Sequence, residues 1–164
     1  LNEEEGKNKG LFTYILDSNE DKKELISKVC SLLSLNAYSN QPIVALKQGG
    51  SKLIDDYIYP KVETWIKSVH EAEFVITDSF HGCVFSIIFN KPFLAIGNKD
   101  RGQARFDSLL KLFKLEDRLV TDSSQILLEN ICKPIDWLAV NTTLKKQLQQ
   151  SVKLIIENLK PKEN

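Results

Sequence analysis

Residues 77–82 bring together the side chains of this chain that are best suited to chemistry. The run reads Thr-Asp-Ser-Phe-His-Gly and offers a carboxylate at Asp78, a hydroxyl at Ser79 and an imidazole at His81. Histidine has a reference pKa near 6.5, so it exchanges a proton readily at neutral pH. Asp78 or Ser79 suits the N-cap of a helix, and Gly82 lets a ligand or another backbone approach closely. The run therefore predicts an anion site in which His81 acts on the ligand; the alternative is that it only caps and packs a helix.

A second charged segment, residues 98–106, follows the next apolar run of the chain. It contains Arg101 and Arg105, whose guanidinium groups match carboxylate and phosphate oxygens in a bidentate fashion. If the preceding apolar run is a neighbouring strand, both segments lie at one edge of a sheet. These arginines then predict an anion clamp beside His81. The alternative is a solvated loop whose arginines pair with Asp100, Asp107 or Glu116.

The elements that must position these residues are read from apolar periodicity. Four-residue apolar runs predict buried strands, and spacing near 3.6 predicts amphipathic helices. Ser18 with Asp21 forms a capping-box pattern before the first helix. The predicted strands are 11–16, 43–46, 74–77, 93–96 and 118–120, and the predicted helices are 20–34, 61–71, 82–90, 106–113, 123–131 and 144–159. Strands that alternate with helices predict an α/β fold, a Rossmann-like parallel sheet flanked by helices, whose ligands bind at the carboxyl ends of the strands.

Length and charge narrow the possible functions. The 164 residues fit a charged linker or disordered end at 1–10 and a single domain at 11–164. A net charge of 0 gives no general attraction to nucleic acid, and no apolar run approaches the roughly 20 residues of a membrane span. The three cysteines lack metal-ligand spacing, which predicts no metal site and reduced, mostly buried thiols in a cytoplasmic protein.

Taken together, several segments resemble the polysaccharide pyruvyl transferase family. The similarity is densest over about residues 60–120 and continues more loosely through 135–137 and the last helix. The chain lacks methionine even at position 1, which indicates a piece of a longer protein. In agreement with this, the resemblance covers what corresponds to the carboxyl-terminal half of a longer two-domain enzyme. The segments that carry the resemblance are 73–82, 85–93, 101–110 and 115–119.

The resemblance implies a fold, an activity and a set of residue roles. The fold would be that of the C-terminal domain of a GT-B-type transferase, in which two Rossmann-like domains face a cleft. Members of the family move the (enol)pyruvyl group of phosphoenolpyruvate onto a sugar and form a pyruvate ketal in a cell-surface polysaccharide. The family histidine matches His81, and an ungapped count places a further basic residue at Arg101. Many members have Arg-Leu-His where this chain has Ser79-Phe80-His81, so Arg101 or Arg105 would take the place of that arginine.

The same resemblance implies the partners. Phosphoenolpyruvate is the donor substrate and no other cofactor is expected; Asp78, Ser79, Gly82, Arg101 and Arg105 are the predicted binding residues. The acceptor is a sugar, free or lipid-linked, and the remaining partner is an amino-terminal domain of the same protein. The expected location is the cytoplasm or the inner face of the membrane.

Two alternatives stay open at the level of sequence. The chain resembles in outline the donor domain of a nucleotide-sugar glycosyltransferase, which would need an acidic residue to hold a ribose, and Glu116 is the one candidate. The other alternative is a non-catalytic domain that binds an anionic sugar or a partner protein.

Overall fold

The computed structural model describes residues 10–42, 58–97, 102–126 and 128–159. The strands are β1 Leu11–Tyr14, β2 Ala37–Tyr38, β3 Phe74–Thr77, β4 Phe93–Ile96 and β5 Leu119–Val120. The helices are α1 Glu20–Leu33, α2 Val62–Glu71, α3 Phe80–Ile88, α4 Gln103–Phe113, α5 Leu128–Cys132 and α6 Trp137–Leu159, with 3-10 turns at Glu116–Arg118 and Ser123–Gln125.

The five strands form one parallel sheet in the order β2-β1-β3-β4-β5. This confirms the predicted α/β fold. The strand order reverses between β1 and β3, where Tyr14 is paired with Thr77 at the carboxyl ends of both strands. Open α/β sheets bind their ligands at such a switch point, because the helices that follow the two strands lie on opposite faces and leave a crevice.

Helices cover both faces of the sheet, so its central strands are buried. All four residues of β3 and all four of β4 are buried, as expected for strands packed on both sides. On one face, Leu25 and Val29 of α1 pack against Ile76. On the other face α2, α3, α4 and the beginning of α6 pack together, through Val69, Cys83, Ile87, Leu110 and Val140.

Several element boundaries differ from the prediction. Helix α3 begins at Phe80, two residues before the predicted start. The Ser18/Asp21 capping box is wrong, because Asn19 is the N-cap of α1 and its side chain accepts a hydrogen bond from the Lys22 N–H at 2.9 Å. The predicted helix 123–131 is divided into a 3-10 turn and α5. The predicted strand 43–46 lies outside the described residues. On its outer side β1 pairs with the two-residue strand β2, which the sequence analysis did not predict because it contains no apolar run.

The last helix is longer than predicted and only its first part is packed. It begins at Trp137, and Val140 is buried against the core. The apolar stripe continues through Leu148, Val152 and Ile155, which are 62%, 45% and 56% exposed. Within the described ranges no other element covers this stripe. The apolar spacing therefore predicted the helix and its apolar face, but it did not show whether that face is buried.

The three cysteines differ in their exposure. Cys83 is buried, Cys30 is half-buried and Cys132 is exposed, so the prediction of mostly buried thiols is wrong for Cys132. None of the helices in the described ranges has the length and apolar character needed to cross a membrane.

Candidate functional site

At the switch point, the Thr77 hydroxyl links the ends of β1 and β3 by hydrogen bonds. Thr77 Oγ1 donates to the Tyr14 carbonyl at 2.8 Å and accepts from the Ser79 N–H at 3.0 Å. It therefore ties the end of β1 to the turn that leads into α3. Gly82, in the first turn of α3, lies against the same side chain: a Cβ built on Gly82 would stand 2.3 Å from Thr77 Oγ1. Glycine at this position lets α3 pack directly on the end of β3.

Asp78 holds the loop that follows β1. Its carboxylate accepts from the backbone N–H groups of Leu16 at 2.7 Å and Asp17 at 3.2 Å, and from Lys22 Nζ at 2.6 Å. The side chains of Asp78 and Lys22 are 4% and 10% exposed. These contacts account for Asp78 without a ligand, and its substrate-binding role stays a prediction.

Ser79 is the N-cap residue of α3 and is 4% exposed. Its side chain does not bond the first turn of the helix, and no hydrogen bond of its hydroxyl to the described part of the chain is found. The first intrahelical bond here runs from the Cys83 N–H to the Ser79 carbonyl at 3.2 Å. The N–H groups of residues 80–82 precede that bond, as at any helix N-terminus, where they favour an anionic ligand.

His81 is exposed and lines a cavity of about 460 Å³ at the carboxyl edge of the sheet. Tyr14 at the end of β1, Trp65 of α2 and Phe85 of α3 line the same cavity. Burial, followed by the nearby Tyr59 and Asp78, raises the pKa of Tyr14, so its hydroxyl stays protonated at neutral pH. Within the described ranges the imidazole thus faces a mostly aromatic lining.

Arg105 lies over the ring of Phe80, the first residue of α3. Its guanidinium carbon stands 5.8 Å from the centroid of the Phe80 ring, and Phe80 precedes His81. The side chain curls over Gly102, whose Cβ would stand 2.7 Å from the guanidinium Nη2. In the described part of the chain Arg105 pairs with no carboxylate, so the predicted pairing with Asp107 or Glu116 is not made. Arg101 lies outside the described residues, and its role stays a prediction.

Other residues that the sequence offers for chemistry have structural roles. Cys83 is 0% exposed and burial raises its pKa well above the usual range, which removes the thiolate a nucleophile needs. Arg118, 1% exposed, donates to the carbonyls of Ile131 and Lys133 at the end of α5. Glu116 precedes β5 and therefore lies toward the amino ends of the strands, away from the switch point. Across the described ranges, His, Cys, Asp and Glu side chains form no group of three that could hold a metal ion.

Sequence reasoning missed three contributors to the site. Lys22, Thr77 and Tyr14 act through partners 56 to 63 positions away in the chain. Lys22 gave one usable signal, since a cation in the first turn of a helix opposes the helix dipole and so calls for an anionic partner. Thr77 gave another, as a polar-tipped residue that ends an apolar run, whereas Tyr14 lies inside the run 11–16 and gave none.

The chain matches a known protein family over most of its first hundred residues. The family model described as polysaccharide pyruvyl transferase matches residues 3–100, which includes the whole of β1 to β4 and His81. The match begins well before the densest part of the resemblance and ends before Arg101 and Arg105. No match is found among curated proteins.

A solved structure of the glycotransferase of kitacinnamycin shares the fold. It aligns with a TM-score of 0.56 at 13% identity, over 94% of this chain and 44% of that one. The likeness supports the predicted GT-B-like α/β architecture, and this chain spans less than half of that protein. Since the family model covers more than half of the 164 residues, the chain belongs to the polysaccharide pyruvyl transferase family.

Proposed function

We propose that this chain carries the donor site of an enzyme that transfers the pyruvyl group of phosphoenolpyruvate to a sugar of a cell-surface polysaccharide or its precursor. The observation that carries the proposal is the position of His81. It is exposed in the first turn of α3, at the switch point of the sheet, where it lines a cavity and follows Phe80, over whose ring Arg105 lies. Family membership supports a transferase, and the donor is the proposed part.

The anionic donor fits the cationic side of this site. Phosphoenolpyruvate carries a carboxylate and a phosphate, which require several fixed hydrogen-bond donors. Arg105 supplies a guanidinium without a described ion-pair partner, and the first turn of α3 supplies backbone N–H groups. The buried Ser79 hydroxyl adds one more donor. Arg101 is proposed as a second clamp.

His81 would supply the proton that starts the reaction. The enol methylene carbon of the donor takes that proton and becomes a methyl group, which leaves positive charge on the carbon that carries the phosphate. One acceptor hydroxyl adds to this carbon and its proton returns to the imidazole. A second acceptor hydroxyl then displaces phosphate, which leaves with the second hydroxyl proton, and the ketal is complete. General acid catalysis of this kind typically contributes about 10²–10⁴-fold to a rate.

Calorimetric titration with phosphoenolpyruvate tests the donor site. We expect His81→Ala and Arg105→Ala each to weaken binding by tenfold or more, since a hydrogen bond to a charged group is worth about 1.5–3 kcal/mol. His70→Ala is the matched control for the histidine, because His70 lies in the last turn of α2, at the opposite edge of the sheet. Lys111→Ala, in the last turn of α4, is the control for the arginine. Unchanged affinity in both site variants, or no binding of phosphoenolpyruvate at all, would rule the proposal out.

We also propose that the chain works as the carboxyl-terminal half of a two-domain enzyme. The 44% coverage of the glycotransferase of kitacinnamycin supports this division. Phosphate release from phosphoenolpyruvate and an acceptor sugar should then require an amino-terminal domain in addition to residues 11–164. Equal turnover by residues 11–164 alone would contradict it.

A further inference from the structure

The cavity beside His81 has a composition that the donor does not explain. Four aromatic side chains line it, and they come from the end of β1, the segment before α2, α2 itself and α3. Its volume of about 460 Å³ lies within the range of roughly 300–1,000 Å³ for small-molecule sites. The lining residues are Tyr14, Gln41, Tyr59, Pro60, Val62, Trp65, His81 and Phe85.

Among the described residues that line the cavity there is no Asp, Glu, Lys or Arg, so this part of the lining suits an uncharged ligand. Aromatic faces carry partial negative charge and attract the polarised C–H groups of a saturated ring. Neutral polar groups complete the lining. Gln41 Oε1 accepts from the Ile15 N–H at 2.9 Å, which holds the side chain in place and leaves its amide N–H groups for other partners. The Tyr14 hydroxyl, protonated at neutral pH, both donates and accepts.

The first two residues of α3, Phe80 and His81, have different neighbours. Arg105 stands over Phe80, and Phe80 also contacts Phe106 of α4 in an edge-to-face arrangement with centroids 6.3 Å apart. His81 follows Phe80 but lines the uncharged cavity. At the start of α3 the cation Arg105 therefore lies over one residue, and the next residue borders the aromatic lining. Such neighbours suit a reaction between an anionic donor and a neutral acceptor.

We propose that the aromatic cavity is the acceptor subsite and binds a neutral hexopyranose ring, whose apolar face packs on Tyr59 and Trp65 while its hydroxyls face His81. The inference rests on the proposed function, because it assigns the second substrate of the same reaction. The chemical class of the ligand, however, follows from the cavity alone and is measured without phosphoenolpyruvate.

Tryptophan fluorescence gives a site-specific test, since the chain has two tryptophans. Trp137→Phe leaves Trp65 as the only reporter, and Trp65→Phe leaves Trp137 as its control. We expect methyl β-D-galactopyranoside or methyl α-D-glucopyranoside to change the fluorescence of Trp65 in a saturable way and to leave that of Trp137 unchanged.

A second variant tests the stacking surface without risk to the fold. Tyr59 is 60% exposed, so Tyr59→Ala should leave the chain folded and weaken sugar binding tenfold or more. Ile58→Ala is the matched control, because Ile58 is 56% exposed and is not among the lining residues.

Three results would overturn the acceptor subsite: no change in Trp65 fluorescence up to the solubility limit of the sugars, equal affinity in Tyr59→Ala and the unaltered chain, or saturation by uridine diphosphate where the sugars do not bind. The donor titration separates this failure from that of the proposed function. If phosphoenolpyruvate binds and the sugars do not, only the acceptor subsite is wrong. If the sugars bind and phosphoenolpyruvate does not, the cavity is a sugar site and the donor assignment is wrong.

Discussion

The buried pair of Lys22 and Asp78 allows a quantitative test of how the switch point is held together. Asp78→Asn keeps the shape of the side chain and removes its charge. In the native chain the carboxylate accepts three hydrogen bonds, from Leu16 N–H at 2.7 Å, Asp17 N–H at 3.2 Å and Lys22 Nζ at 2.6 Å. Asparagine has one acceptor oxygen and one amide donor group, so it cannot satisfy all three donors.

The expected loss of stability follows from burial. Removing one partner of a buried ion pair costs about 3–5 kcal/mol, because the other charge stays buried without compensation. With exposed fractions of 4% for Asp78 and 10% for Lys22, this pair belongs to the buried class. We therefore expect Asp78→Asn to lower the free energy of unfolding by about 3–5 kcal/mol. Lys22→Met should lower it by somewhat less, because Asp78 keeps its two backbone donors.

Urea unfolding followed by circular dichroism measures these values, and the double variant measures the coupling. Lys22→Met with Asp78→Asn should lose about 1–3 kcal/mol less than the sum of the single variants. Lys23→Met is a matched control on the adjacent residue. Lys23 pairs with Glu20 at 2.7 Å, but the two side chains are 62% and 88% exposed, and such pairs contribute at most about 1 kcal/mol.

A clear result would refute the reasoning. If Asp78→Asn lowers the free energy of unfolding by no more than Lys23→Met does, burial does not set the strength of this contact. A coupling energy of zero would show that Lys22 and Asp78 act independently despite their 2.6 Å separation.

Three further predictions concern packing, pH and thiol reactivity. Gly82→Ala places a Cβ against Thr77 and should destabilise the chain by about 1–3 kcal/mol in urea unfolding, so an unchanged midpoint would contradict the packing. Burial, then Glu71, raises the pKa of Tyr38 to about 12, so stability should be full below pH 10 and fall as the pH rises toward 12. Tyr38→Phe should flatten that fall in pH-dependent unfolding; an identical fall would assign it to other groups. Ellman's reagent should modify the exposed Cys132 quickly and the buried Cys83 only after unfolding, and fast reaction of Cys83 would contradict its burial.

The sequence by itself determined the elements in which the pattern of apolar residues directly predicts which side chains are buried. The apolar runs of β3 and β4 match the structure at both ends, and the 3.6-residue spacing places α1 to within one residue. A short apolar run such as Phe74–Ile76 or Phe93–Ile96 is typical of a strand covered on both faces, so the local pattern predicted these two strands. The placement of His81 at the carboxyl edge of the sheet follows from the same pattern, because it comes directly after such a strand.

Only the tertiary structure decided which elements lie side by side and what the polar groups contact. The two-residue β2 carries no pattern, and Asp78 meets Lys22 only because β1 and β3 are adjacent in the sheet. The cavity likewise assembles Tyr14 and Phe85, 71 positions apart, from elements that a local pattern places one by one. The tendency of a residue to be buried depends on its own apolar side chain, so it can be read from the sequence. A hydrogen bond or a cavity depends on the distance between segments, and only the packing of the sheet and its helices sets that distance.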